Sequence, residues 1–176
     1  MVVIKVYVKI FLLAIIILGA FLCSITIGVI HRRFWHSIVR YYAKAILWVS
    51  GINVHINGKD GCNYFEGGLL VVANHISWID VMVLYSIRWV EFVARAEMKS
   101  WPIMGRILNS CNIIYVNRST KKNLLDINNT ISHRLTTGAS VCVFPESKTS
   151  DGLQLLSFKP ALSIISPLAS TSNANG

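Results

Sequence analysis

His75 and Asp80 stand five residues apart, where the apolar, β-prone run Leu69–Ala73 gives way to Asn74-His75-Ile76-Ser77-Trp78-Ile79-Asp80. A histidine at the C-terminal end of a strand faces the crevice above an α/β sheet. Its imidazole suits general-base work near neutral pH, and a nearby carboxylate could orient and polarise it. The spacing restricts how the two can meet. In one continuous helix five residues turn through roughly 500°, leaving the side chains about 140° apart. In one strand they face opposite sides. They meet only if His75 sits in the turn before a helix and folds back over its first turn. Ser77 fits that picture as an N-cap. Ser77-x-x-Asp80 is equally a capping-box pattern, and an aspartate near a helix N-terminus is favoured by the dipole alone.

The elements that would position these groups follow an alternating pattern. Strands are expected over Ile52–Asn57, Leu69–Ala73, Glu91–Ala96, Asn112–Val116 and Ala139–Phe144, from period-two or continuous apolarity. Helices are expected from Ser77 to about Ser86, in part over Glu97–Asn109 around Pro102 and Gly105, and from the Ser119/Thr120 caps to Thr137. The last carries Leu124, Ile127, Ile131 and Leu135 on one stripe and stops at Gly138. This order predicts an α/β fold with a mainly parallel central sheet flanked by helices. Three strands end in polar groups: Asn74-His75, Asn117-Arg118 and Glu146-Ser147-Lys148. Parallel neighbours would gather them at one edge of the sheet. Arg118 alone reads as a surface arginine and Glu146 alone as a cap; together with His75 they read as a site.

The 176 residues suffice for one domain with a sizeable core. The chain is 53% hydrophobic and only 14% charged, with 17 Lys and Arg against 8 Asp and Glu. Such apolarity points to membrane contact, and the net charge of +9 favours an anionic lipid surface. A nucleic-acid partner is not expected: there is no basic run of five and no ordered aromatic platform. Cys23, Cys62, Cys111 and Cys142 are scattered without a C-x-x-C pair, which predicts reduced thiols and neither a disulfide frame nor a metal site.

Residues 1–50 are expected to anchor the chain. Ile10–Ile30 holds about twenty residues without a formal charge, enough to cross a bilayer. A shallow re-entrant helix fits nearly as well, whereas a signal peptide would want a shorter run and a small-residue cleavage site. Lys5 and Lys9 precede the run; His31, Arg32, Arg33, Arg40 and Lys44 follow it, so the remainder should face the cytoplasm. Residues 36–50 read as an interfacial helix, with Ile38, Tyr42, Ala45, Ile46 and Val49 at helical spacing, Trp35 and Trp48 at headgroup level, and Gly51 as C-cap. An ordinary core-facing helix would show the same stripe.

Four segments carry a resemblance: Asn74-His75-Ile76-Ser77-Trp78-Ile79-Asp80, Phe92-Val93-Ala94-Arg95, Ile113-Ile114-Tyr115-Val116-Asn117-Arg118 and Phe144-Pro145-Glu146-Ser147-Lys148-Thr149-Ser150-Asp151-Gly152. In this order they resemble the 1-acyl-sn-glycerol-3-phosphate acyltransferases, also called lysophosphatidic acid acyltransferases, over roughly residues 50 to 166. The resemblance implies transfer of a fatty acyl group from acyl-CoA or acyl carrier protein to a lysophospholipid hydroxyl at a membrane, placed in the bacterial inner membrane, with no other cofactor and no metal. It implies His75 as catalytic base with Asp80 as its partner, Arg118 on the acceptor's phosphate and Glu146 in acceptor binding. Asn74, Ser147 and Lys148 fall within the same blocks and are expected to bind substrate as well. An arginine suits that task because its planar fork gives bidentate, charge-assisted bonds to phosphate.

The chain departs from the family pattern in places. Asn112 stands where the second block usually opens with glycine. Ser147 replaces the glycine after F-P-E, and Lys148 a common threonine. If that glycine uses φ > 0, serine strains the turn by about 1–2 kcal/mol. The expected organisation is an anchor over 1–50, an acyltransferase domain over 51–168 that ends before the family's V-P-x-x-P block, and a disordered tail over 169–176. An inactive, lipid-binding fragment is therefore a competing expectation. Thr149-Ser150-Asp151-Gly152 resembles the lyso-ornithine-lipid acyltransferase branch, whose acceptor has no phosphate for Arg118.

Overall fold

A computed structural model of the chain describes residues 2–26, 32–57, 68–117, 121–146, 149 and 152. These form two compact units, one helical and one built on a sheet. The expected tail over 169–176 lies outside the described residues.

The helical unit holds α1 (Val2–Ile25), α2 (Arg32–Ser50), α3 (Ile79–Ile87) and α4 (Met104–Ser110), with α2 against α1 and α3, and α1 against α4. α1 begins earlier than Ile10 and takes in Lys5 and Lys9. It ends where the Ser24 and Thr26 hydroxyls turn back onto the carbonyls of Phe21 and Cys23, at 2.6 and 2.9 Å. Its Val3–Ile25 stretch is long and apolar enough to cross a bilayer, and its side chains are mostly exposed. α2 closes in a Schellman motif: Gly51, at φ 81°, donates to the Trp48 carbonyl and Ile52 to that of Leu47. The stripe of Ile38, Tyr42, Ala45, Ile46 and Val49 is buried or half-buried, together with Trp35, Ala43 and Leu47, so it packs inward. The outward face is a different one. Phe34, Tyr41 and Trp48, 68%, 74% and 78% exposed, recur every seven residues and so drift only about 20° per step; Arg40 and Lys44 are exposed beside them.

The sheet unit holds β1 (Leu70–Val72), β2 (Glu91–Arg95), β3 (Ile114–Val116), β4 (Val141–Val143) and α5 (Lys121–Thr136). All pairings are parallel, in the order β1-β4-β2-β3. This bears out the expected parallel sheet, whose strands need helical crossovers. Ile131 of α5 is fully buried against Ile114, Val141 and Val143, with Ile127 and Leu135 beside it, so these three positions of the predicted stripe form the helix's core face; the Leu124 side chain lies outside the described residues. Gly138, at φ 85°, closes α5 with a second Schellman pair, onto Leu135 and Arg134. The Arg134 guanidinium lies 3.5 Å from the buried Glu91 carboxylate, tying α5 to β2.

Ile52–Asn57 does not form the expected strand. Ile52 and Val54 are half-buried between the exposed Asn53 and His55, but Ile56 is exposed, and no described strand pairs with the segment. Asn112 precedes β3 at φ 54°, in the left-handed region. The position at which the resemblance leads one to expect glycine thus has the backbone that glycine favours, and asparagine is among the side chains that tolerate it.

Candidate active site

Strand register explains why the His75 and Glu146 segments meet. Val72 of β1 stands opposite Val143 of β4, and the Ala73 amide donates to the Val143 carbonyl at 3.3 Å. Both chains then leave the sheet at its carboxyl edge. One supplies Asn74-His75, the other Phe144-Pro145-Glu146. The His75 imidazole lies on the Phe144 ring, with centroids 4.1 Å apart and planes 17° from parallel. Phe144 continues to the buried Phe92 ring at 5.9 Å and 13°. Alternation accounts for this second contact. Phe92 is registered with Cys142, so Phe144, two residues on, continues the same face.

His75 is half-buried and Asn74 exposed. Glu146 is 2% exposed, and neither carboxylate oxygen accepts a hydrogen bond from the described residues. A carboxylate in that setting is expensive to keep. Gly152, at φ 77°, lies against Ile76: a Cβ there would come 3.1 Å from the isoleucine Cδ1. The end of the fourth segment therefore returns to the residue beside His75.

Asp80 lies in the first turn of α3 and belongs to the helical unit; His75 belongs to the sheet unit. The division falls between Ser77 and Trp78, inside the His75–Asp80 segment. The expected N-cap is corrected. Trp78, not Ser77, occupies that position, without a side-chain cap bond, because the helix opens one residue later than a Ser77 cap would have it. Asp80 keeps its place in the first turn, where the dipole favours it.

Arg118, Ser147 and Lys148 lie outside the described residues. Asn117, just before Arg118, is exposed after β3 at the same carboxyl edge. β3 is not a neighbour of β4, however; β2 lies between them and ends in the exposed Arg95, registered with Val116. Arg95 closes the second of the four resembling segments, and the resemblance gave it no role of its own. Its signal is the one carried by the other three strands, a polar side chain closing an apolar run.

The described cysteines, Cys23, Cys111 and Cys142, are free thiols. Burial pushes the Cys142 thiol up to about 12 and that of Cys111 up to about 11, leaving both protonated at neutral pH. No group of three His, Cys, Asp or Glu able to hold a metal occurs among the described residues.

A 1-acyl-sn-glycerol-3-phosphate acyltransferase of Neisseria gonorrhoeae is 39% identical over 95 residues, covering 54% of this chain and 37% of its own length. A lyso-ornithine lipid O-acyltransferase of Rhizobium meliloti (strain 1021) is 37% identical over 123 residues, covering 70% of this chain and 41% of its own. The chain thus spans about two fifths of the length of these curated relatives. The fold matches that of the 1-acyl-sn-glycerophosphate (LPA) acyltransferase PlsC from Thermotoga maritima, with a TM-score of 0.67 at 21% identity, over 93% of this chain and 68% of that one. The Acyltransferase family model matches residues 53–168, and the chain belongs to that family.

Proposed function

We propose that this chain transfers a fatty acyl group from acyl-CoA or acyl carrier protein to the free hydroxyl of a lysophospholipid, converting 1-acylglycerol-3-phosphate to phosphatidic acid. The observation that carries the reading is the meeting of two segments at one sheet edge. The His75 ring lies on Phe144, two residues before a buried carboxylate with no hydrogen-bond donor among the described residues. An alcohol attacks a thioester poorly without a base. His75 takes the hydroxyl proton as the new ester bond forms, Asp80 stabilises the imidazolium, and the thiolate leaves. No enzyme nucleophile is required, so transfer is direct. Glu146 accepts a hydrogen bond from the acceptor, which supplies the donor that burial otherwise denies it. Arg118, Lys148 and Arg95 supply cations for the phosphate, with Asn74 and Ser147 as further polar contacts.

The helical unit attaches this chemistry to the membrane. α1 enters the bilayer, and the outward face of α2 suits its surface: Phe34, Tyr41 and Trp48 reach the acyl boundary, while Arg40 and Lys44 meet anionic headgroups. The basic residues after α1 keep the catalytic part on the cytoplasmic side of a bacterial inner membrane.

A second reading is acylation of lyso-ornithine lipid. It is favoured by the relative of that name, which covers 70% of the chain. A panel of lysolipids with acyl-CoA and acyl carrier protein as donors, assayed on membranes carrying the protein, separates the two. Product from lysophosphatidic acid and none from lyso-ornithine lipid is expected. The opposite pattern favours the second reading, and no product with any pair contradicts both.

A further inference from the structure

We propose that Phe144 is a positioning residue that sets the plane of the His75 ring, and that it acts on turnover without touching substrate. The proposal rests on the reading of His75 as the base. Three rings lie in series, His75, Phe144 and Phe92, with planes 17° and 13° from parallel at the two steps. Their order in depth matters. Phe92 is buried in β2, Phe144 is half-buried just past β4, and His75 is half-buried at the sheet edge. The outer ring therefore rests on a column fixed by strand register.

Stacking constrains an imidazole in a way suited to proton transfer. Both nitrogens lie in the ring plane. A neighbour covering one face fixes that plane and leaves the nitrogen edges accessible. The centroid separation of 4.1 Å is shorter than the 4.5–7 Å usual for aromatic pairs, so rotation of the imidazole out of plane is blocked on the Phe144 side. The same π face attracts the cation formed when His75 takes the acceptor's proton. Stabilisation thus grows as the reaction proceeds, which raises kcat and leaves ground-state binding unchanged.

The pattern also separates two roles within one motif. In Phe144-Pro145-Glu146, the carboxylate faces the acceptor in the proposed function, while the phenyl ring serves the base. The aromatic residue that opens the motif is then selected for a flat face, so tyrosine can replace it and leucine cannot.

The test compares Phe144→Leu, Phe144→Tyr and Phe92→Leu by thermal unfolding and by kcat and KM for the acceptor. Phe144→Leu is expected to lower kcat roughly 10–100-fold with KM nearly unchanged, the size of effect that a misplaced catalytic group produces. Phe144→Tyr retains the flat face and most of the turnover. Phe92→Leu, at the foot of the same column, lowers the unfolding temperature and lowers the kcat of the folded fraction by less than Phe144→Leu does. If both leucine variants lose activity only in proportion to lost folded protein, or if Phe144→Leu turns over like wild type, the proposal falls.

A measurement on the wild-type chain is independent of variant folding and of turnover. The His75 ring-proton resonance, assigned through His75→Ala, is expected upfield of its random-coil position because it lies over the Phe144 face. A random-coil position overturns the stack itself. An upfield resonance in a chain that acylates nothing retains the stack and instead contradicts the assigned activity.

Discussion

Glu146→Met should make the protein more stable and a worse enzyme. The wild-type side chain is 2% exposed, with no hydrogen bond to either oxygen among the described residues. An unsatisfied buried polar group costs about 1–3 kcal/mol, more when charged. Methionine has nearly the same volume and no polar atom, so the substitution removes that cost without opening a cavity. For a chain of this size about 1 kcal/mol shifts the unfolding temperature by roughly 2–4 °C. The variant should therefore unfold roughly 2–12 °C higher in detergent, followed by circular dichroism. Its kcat/KM should fall roughly 10- to 150-fold, the equivalent of losing a hydrogen bond to a charged group worth about 1.5–3 kcal/mol. A Glu146→Met protein that melts below wild type would mean that the carboxylate is already engaged in the folded chain. The inference from its burial would then fail, and its role in holding acceptor with it.

Backbone geometry and thiol burial give further expectations. Gly105→Ala would drive a Cβ into the Lys99 carbonyl oxygen, and Gly68→Ala into that of Leu135. Backbone must move in both cases, so each should lower the denaturant midpoint by the equivalent of about 1–3 kcal/mol. Asn112→Val should cost about 1–2 kcal/mol at φ 54°, while Asn112→Gly should be neutral or mildly stabilising in the same assay. The Cys142 thiol is raised by burial from an ordinary value of 9.0 to about 12. Its contribution is complete below pH 9, where folded and unfolded chains both hold the proton. Above that the unfolded chain ionises first, so stability declines by about 1.4 kcal/mol per pH unit. Cys142→Ala should flatten that alkaline decline relative to wild type in unfolding curves between pH 8 and about 11.

Much of this architecture is legible in the sequence because local rules act there without competition. Leu69–Ala73 and Ala139–Phe144 are short apolar runs that end at polar residues, and both became parallel strands. Gly51 and Gly138 stop their helices through the left-handed cap that only glycine adopts freely. Tertiary partners decided the rest. Ile52–Asn57 alternates as a strand does, but alternation cannot supply a neighbouring strand to bond with. The inward stripe of α2 was visible as periodicity, yet only packing shows that Phe34, Tyr41 and Trp48 remain outside. Strand order is likewise not written in local pattern: that Arg95 ends the strand lying between β4 and β3 follows only from the pairing. The resemblance drew together His75 and the Phe144–Glu146 segment, and register shows the physical reason. It also pairs His75 with Asp80, which stands in the first turn of α3.

The central claim is that His75 carries the proton from the acceptor hydroxyl during acyl transfer. The most direct measurement is the kcat of His75→Ala against wild type, with lysophosphatidic acid and acyl-CoA on membranes carrying equal amounts of folded protein. Loss of a general base predicts a fall of roughly 10²–10⁴-fold with the acceptor still bound. Turnover equal to wild type would contradict it.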